Sequence, residues 1–183
     1  MISCFKGKFK VTSPYGKRWL FDKYEFHKGV DIVGIDDDIV YSICDGVAHC
    51  LYNDGGFGNY IRVDIDKGLS IIYGHLKSYK IKSGTKVKAG QPIGVMGATG
   101  NVTGVHTHLE IRKTGTKEPL DIHYYTGIPK NLGIYDAQPE FTAYEAACNV
   151  ERICGLTKDT INYMWNYEYG GELFKKLNLK IFF

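Results

Sequence analysis

Along much of this chain, hydrophobic and polar positions alternate over short stretches. Asn59-Tyr60-Ile61-Arg62-Val63-Asp64-Ile65 alternates cleanly, as a half-buried strand requires; Lys67-Gly68 marks a turn, and Leu69–Tyr73 returns. Ile39–Cys44 and Val47–Leu51, separated by Asp45-Gly46, predict a hairpin with a two-residue turn. Lys86–Lys88, Pro92–Met96 and Val105–Arg112 follow, with Lys88-Ala89-Gly90-Gln91 and Gly97-Ala98-Thr99-Gly100 as turns between them. Strand-sized runs punctuated by glycine, with no helix between them, predict a mainly β fold: a compact antiparallel sheet domain over residues 1–135.

The pattern changes after about Tyr135. Ala143, Ala146, Ala147, Val150, Ile153 and Cys154 recur at helical intervals and stop at Gly155. Thr157 is an N-cap candidate, with Asp159 in the first turn, for a second helix through Ile161, Met164 and Trp165. Leu173–Leu179 fits a third short helix. Residues 136–183 are therefore expected to form a small α-helical C-terminal module, too small to be stable without docking or oligomerising. Tyr163, Trp165, Tyr167 and Tyr169 make it rich in aromatic rings, which fit a helix core or docking surface better than a sugar-stacking face.

Composition narrows the class. The 183 residues are 44% apolar, as in an ordinary soluble globular protein, and no apolar run is long enough to cross a bilayer. The formal charge of +3 is small; it fits ordinary solubility, and no nucleic-acid partner is expected. Met1-Ile2-Ser3-Cys4-Phe5-Lys6 lacks the charged-then-apolar layout of a signal peptide. Synthesis in the cytoplasm is the expectation, with any action outside the cell following a non-signal route or lysis. Five cysteines argue against a disulfide framework. In the expected hairpin Cys44 and Cys50 point to opposite faces. Cys148 and Cys154 are six apart in a helical stretch, so neither pair is placed to bond. Buried thiols and a reducing compartment are expected.

The chemistry concentrates in Val105-His106-Thr107-His108-Leu109-Glu110-Ile111-Arg112. In a strand, residues i and i+2 share a face, so His106, His108 and Glu110 project together, opposite Thr107, Leu109 and Ile111. Upstream, Phe26-His27-Lys28-Gly29-Val30-Asp31 adds a histidine and a carboxylate four apart. Gly29, Val30, Ile32 and Val33 disfavour a helix there and predict a loop running into a strand. His75, in Tyr73-Gly74-His75-Leu76, falls at a strand end, where functional side chains emerge. Any one of these histidines fits a surface imidazole or a core hydrogen-bonder. Together with Asp31 they form a set from which three ligands for Zn²⁺ can be drawn, leaving a fourth position for water. The spacing does not decide which of His106 and His108 binds. Glu110 fits either a partner for a metal-bound histidine or an ion pair with Arg112.

Over roughly residues 10–125 the chain resembles the lysostaphin-type (LytM-type) zinc endopeptidases of peptidoglycan. The resemblance rests on Ser13-Pro14-Tyr15-Gly16-Lys17-Arg18, on His-x-Gly-x-Asp at His27–Asp31, and on Asp45-Gly46-Val47, Gly58-Asn59-Tyr60 and Tyr73-Gly74-His75-Leu76. It continues through Gly84–Gly94 to Gly100–Glu110, which carries His-x-His. Thr107 stands where the family often has Leu, and Val105 where it often has Pro. The resemblance implies a β-sheet catalytic domain with a groove and one zinc ion per chain, held by His27, Asp31 and His108. His75 and His106 are then the unliganded catalytic histidines, with His106 acting on the water and His75 on the transition state. His49 and His123 match no ligand position and are read as structural; Asn59 is read as stabilising a turn.

The implied function is hydrolysis of peptide stems or cross-bridges in bacterial peptidoglycan. The missing leader and the small tail add the expectation of a phage or prophage endolysin that reaches the wall through a holin-type lesion, with the tail binding wall, docking or oligomerising. The alternative is a catalytically silent protein of the same fold that binds the wall or activates another hydrolase. A third class comes from Ile81–Gly94, which also resembles the turn of lipoyl and biotinyl carriers, and from the glucose-permease phosphotransfer domain, a related β architecture with paired histidines. Carriers need a modifiable lysine at a hairpin tip, and phosphotransfer has no use for the His27/Asp31 pair.

Overall fold

A computed structural model describes residues 3–20, 23–65 and 68–137. Apart from Asp136 and Ala137, the expected helical module, with Cys148, Cys154 and its aromatic residues, lies outside these residues, as does Lys67 of the Lys67-Gly68 turn. The first strand, β1 (Gly7–Ser13), buries Phe9 and Val11 and exposes Lys8, Lys10 and Thr12. A ribbon of β2 (Gly16–Leu20) and β3 (Lys23–His27) leads into β4 (Val30–Gly34) and β5 (Ile39–Tyr41). An antiparallel meander of β6 (Gly46–Asn53), β7 (Gly58–Ile65) and β8 (Leu69–Leu76) follows. Three short strands come next: β9 (Ser78–Tyr79), β10 (Thr85–Val87) and β11 (Pro92–Val95). The described chain closes with β12 (Thr107–Lys113), β13 (Pro119–Leu120), the one-turn helix α1 (Ile122–Thr126) and β14 (Gly133–Ala137).

The main sheet runs β10-β6-β7-β8-β12-β4-β1-β14, with β13 added to β12; β5-β11-β9 make a second sheet. Every described pairing is antiparallel, as the glycine-punctuated pattern predicted. Phe9, Ile32, Ile61, Tyr73, Leu109 and Ile122 are among the fully buried side chains of the core. Each such side chain contributes about 1.5–3 kcal/mol relative to exposure. β14 pairs with β1 from Gly7↔Ala137 to Val11↔Gly133, so the sheet continues to Ala137.

The expected hairpin of Ile39–Cys44 with Val47–Leu51 does not form. β5 pairs with β11 instead, and β6 pairs with β7 and β10. The cause lies at the turn. Asp45 accepts the Ala89 N–H (2.9 Å) and binds the Lys88 ammonium, while Ser42 N–H donates to Gln91 O and Gly90 N–H to Ser42 O. These bonds draw residues 42–45 towards 88–91 rather than back along β6. The thiols of Cys4, Cys44 and Cys50 are free, the first two buried.

Candidate metal centre

Sheet register brings the ligands together. β12 lies between β8 and β4, and His108 stands opposite Asp31 on one side and Gly74 on the other. His27 ends β3, opposite Gly16 in the ribbon; the loop expected at His27 is thus the last residue of a strand. Gly29 explains how the two histidines share space. A Cβ there would lie 2.5 Å from Leu109 O and 2.7 Å from His108 Nε2, so only glycine lets the chain between His27 and Asp31 cross the His108 ring. Asp31 Oδ1 lies 3.1 Å from His27 Nε2 and 2.9 Å from His108 Nδ1, and the two nitrogens are 3.1 Å apart.

The outer contacts fix which atom each side chain presents. A carbonyl oxygen only accepts, so His27 Nδ1, 2.9 Å from Pro14 O, carries the hydrogen and leaves Nε2 bare. Both His108 nitrogens face carboxylates, Nδ1 at 2.9 Å from Asp31 Oδ1 and Nε2 at 3.3 Å from Glu110 Oε2; with its hydrogen on Nε2, donated to Glu110, the ring presents Nδ1 bare to a metal. Arg18 Nη1 donates to Asp31 Oδ2 at 3.2 Å and to Ser13 Oγ at 2.6 Å, which leaves Oδ1 of Asp31 facing the histidines. Arg18 is itself held by Glu25, its cross-strand partner in the ribbon. Burial works against charge on both Asp31 and His108, but their closeness prevails, reinforced by His27 for Asp31 and by Glu110 for His108. The Asp31 carboxyl is held far below the usual range and the His108 pKa is raised. The pocket is built to hold a carboxylate beside groups that share positive charge.

Two imidazole nitrogens and one carboxylate oxygen, each with its far side hydrogen-bonded, are the donor set of a catalytic divalent-metal site. Tetrahedral coordination with bonds of about 2.0–2.2 Å requires ligand separations of about 3.3–3.5 Å. The 2.9–3.1 Å separations reach that with shifts of a few tenths of an ångström. The residues therefore fit a metal, and His27, Asp31 and His108 are the trio that could hold it.

His75 and His106 stand beside the trio, their ring centroids 4.8 Å apart. His106 Nε2 is 3.6 Å from Asp31 Oδ1, and its Nδ1 donates to Gly104 O at 2.9 Å. His75 Nδ1 donates to Thr99 O at 2.9 Å. Both rings in their neutral form thus leave Nε2 bare. Burial, reinforced by His106 and His108 against the opposing pull of Thr99 and Asp31, pushes the His75 pKa down to about 4. His75 lies at a bulge: the β7–β8 register slips between Asn59↔Leu76 and Ile61↔Tyr73, and His75 adopts φ 64°, rare for a residue with a side chain. Its N–H donates to Phe57 O at 2.7 Å, which holds that conformation in place.

The remaining histidines have other work. His123 accepts the Tyr15 N–H and donates to Ile128 O; His49 pairs with Asp64. Asn59 N–H donates to Thr99 Oγ1 and its amide oxygen accepts from Tyr79, tying the β7 start to the 97–100 turn. Sequence reasoning missed Arg18 as the Asp31 clamp and Phe57 as the ring over His108 (centroids 5.5 Å). The only signal for Arg18 was its place in the Ser13–Arg18 motif; Phe57 gave none.

The family model described as Peptidase family M23 matches residues 25–121 of the chain. The DD-carboxypeptidase/endopeptidase Mpg of Neisseria gonorrhoeae is 32% identical over 108 residues, 58% of this chain and 25% of that protein. The peptidoglycan DD-endopeptidase ShyC of Vibrio cholerae is 35% identical over 109 residues, again 58% and 25%. The chain spans about a quarter of the length of these curated relatives. The catalytic domain of a mutant of the prophage-encoded M23 protein EnpA from Enterococcus faecalis matches with a TM-score of 0.56 at 31% identity, over 62% of this chain and 88% of that one. The antimicrobial peptidase lysostaphin from Staphylococcus simulans matches at 0.57 and 28%, over 65% and 49%, and a zinc containing peptidase from Vibrio cholerae at 0.53 and 31%, over 61% and 35%.

Proposed function

Because this chain belongs to peptidase family M23, we propose that it is a zinc-dependent endopeptidase that hydrolyses peptide bonds in the stems or cross-bridges of bacterial peptidoglycan. The observation that carries this reading is the convergence of His27 Nε2, Asp31 Oδ1 and His108 Nδ1 beside the two bare Nε2 atoms of His75 and His106. One zinc ion per chain, held by that trio, would acidify water and polarise a scissile carbonyl.

The chain's own groups do the rest. Arg18 and Glu110 keep the ligands oriented, and Gly29 allows their approach. We assign His106 Nε2 to accept the proton of the attacking water. His75 is assigned to the carbonyl oxygen and the leaving amine. With its Nδ1–H committed to Thr99, His75 donates from Nε2 only after a proton has arrived there, so its role is tied to proton transfer in the reaction. The family likeness to peptidoglycan DD-endopeptidases supports the substrate class. The likeness to a prophage-encoded catalytic domain supports reading it as a wall-lytic endolysin.

The test is incubation of the full chain with purified cell walls, scoring new amino termini and naming the cut bond by mass spectrometry of the fragments. New termini that disappear with EDTA and return with zinc are expected. Zinc bound at one per chain with no new termini from any wall chemotype would contradict the enzymatic reading.

A further inference from the structure

Glu110 and Arg112 lie two and four residues beyond His108 on β12, so all three side chains leave the same face of the strand. Glu110 is 0% exposed. A fully buried carboxylate is tolerated only where partners hold its charge. Glu110 has two: Arg112 Nη2 stands 2.6 Å from Oε1, and His108 Nε2–H donates to Oε2 at 3.3 Å. Arg112 is placed in turn, its guanidinium 5.5 Å from the Phe57 ring centroid. Phe57 also packs on His108 and, through its carbonyl, holds the His75 backbone.

We propose that Arg112 and Glu110 are positioning residues that set the metal affinity of the centre. Glu110 keeps the His108 hydrogen on Nε2, so that Nδ1 turns its lone pair towards His27 and Asp31. Arg112, a donor only, stands against the other oxygen of Glu110 and holds the carboxyl group in place. The inference rests on the reading of the trio as a metal site, but the tautomer of His108 can be read without metal.

The geometry makes Glu110→Gln an informative change. If the new amide turns its oxygen to Arg112, its NH₂ faces His108 Nε2, which must then shed its hydrogen and place it on Nδ1, the ligand atom. If the oxygen turns to His108, the NH₂ meets the guanidinium, donor against donor. Removing the guanidinium as well frees the oxygen for His108. Glu110→Gln is therefore expected to weaken zinc binding about 10- to 100-fold. The double variant Glu110→Gln/Arg112→Met recovers part of that loss. A merely structural ion pair gives the opposite order, with the double variant the worse of the two.

The experiment uses the full chain, with zinc affinity from competition with a chromophoric chelator and ¹⁵N NMR of the histidine rings in metal-free protein at pH 8. Wild type is expected to show a hydrogen on His108 Nε2, and Glu110→Gln to lose it. Unchanged zinc affinity with an unchanged tautomer in Glu110→Gln would overturn the proposal. Arg112→Met keeps the test alive where Glu110→Gln fails to fold: about 10-fold weaker zinc binding is expected, and wild-type affinity overturns the role of the pair. A wild type that binds no zinc but shows the Nε2–H tautomer strikes the metal reading instead.

Discussion

Gly29→Ala is the smallest change that should disturb the centre without touching a ligand. The new Cβ would stand 2.5 Å from Leu109 O, 2.7 Å from His108 Nε2 and 2.8 Å from His108 Cε1. Ordinary contact begins near 3.4 Å, so the 28–30 backbone must retreat from Leu109 O by about 0.9 Å, and the His108 ring must give way by about 0.7 Å wherever the backbone does not. Neither can do so freely. The ring is held between Asp31 Oδ1, 2.9 Å from Nδ1, and Glu110 Oε2, 3.3 Å from Nε2, and the backbone is committed to the β4–β12 ladder through Val30 and Asp31. Overpacking of this kind costs about 2 kcal/mol, equivalent to a fall of roughly 4–8 °C in Tm for a chain of this size. Displacing a ligand ring by a third of a metal–nitrogen bond should weaken zinc binding at least about 10-fold, as disturbing ligand orientation generally does. Chelator competition and thermal melts on the full chain check both numbers. Gly55→Ala is the control, because nothing lies within 4 Å of a Cβ there. Wild-type zinc affinity and Tm in Gly29→Ala would refute the claim that backbone clearance at residue 29 sets the position of His108.

Three further outcomes are expected. His75→Ala and His106→Ala should each keep one zinc per chain while losing about 10²- to 10⁴-fold in turnover on purified walls; near-normal rates in either variant would remove that residue from the mechanism. The low His75 pKa gives stability a definite sign with pH: between 6.5 and about 4 the unfolded chain binds the proton that folded His75 refuses, so stability is complete above 6.5 and falls on acidification. Between pH 7 and 5 the loss is about 2 kcal/mol, and in metal-free urea titrations His75→Gln should show a pH slope shallower by that amount; identical slopes would contradict it. His123→Ala should lower stability by about 3 kcal/mol by orphaning Tyr15 N–H and Ile128 O, yet leave zinc stoichiometry at one; loss of zinc with the fold intact would make His123 part of the centre.

Much of this architecture was legible because period-2 alternation reports burial on one face of a strand, as in β7, while β8 and β12, buried on both faces, stood out as strand-sized runs between turns. What alternation does not report is the partner. Ile39–Tyr41 reads as a strand whichever neighbour it takes, and its pairing with β11 follows from contacts of residues 42–45 with 88–91 that no local pattern encodes. The candidate ligands were identifiable as a set, but a choice between His106 and His108 needed the register that puts His108 opposite Asp31. The choice of ligand atom needed the distant acceptors Pro14 O and Glu110 Oε2. Arg18 reaches Asp31 only because the β2–β3 ribbon folds Gly16 against His27. β1 did carry a clean signal in Lys8-Phe9-Lys10-Val11-Thr12, whereas β14, with Tyr135 half-buried between exposed Ile134 and Asp136, carried almost none.

The most direct test of the metal assignment is anomalous diffraction at the zinc edge from crystals of the full chain grown with zinc. The account predicts one strong peak per chain, within about 2.0–2.2 Å of His27 Nε2, Asp31 Oδ1 and His108 Nδ1. A peak ligated by His75 or His106 in place of one of those atoms, or no peak between them, would contradict it.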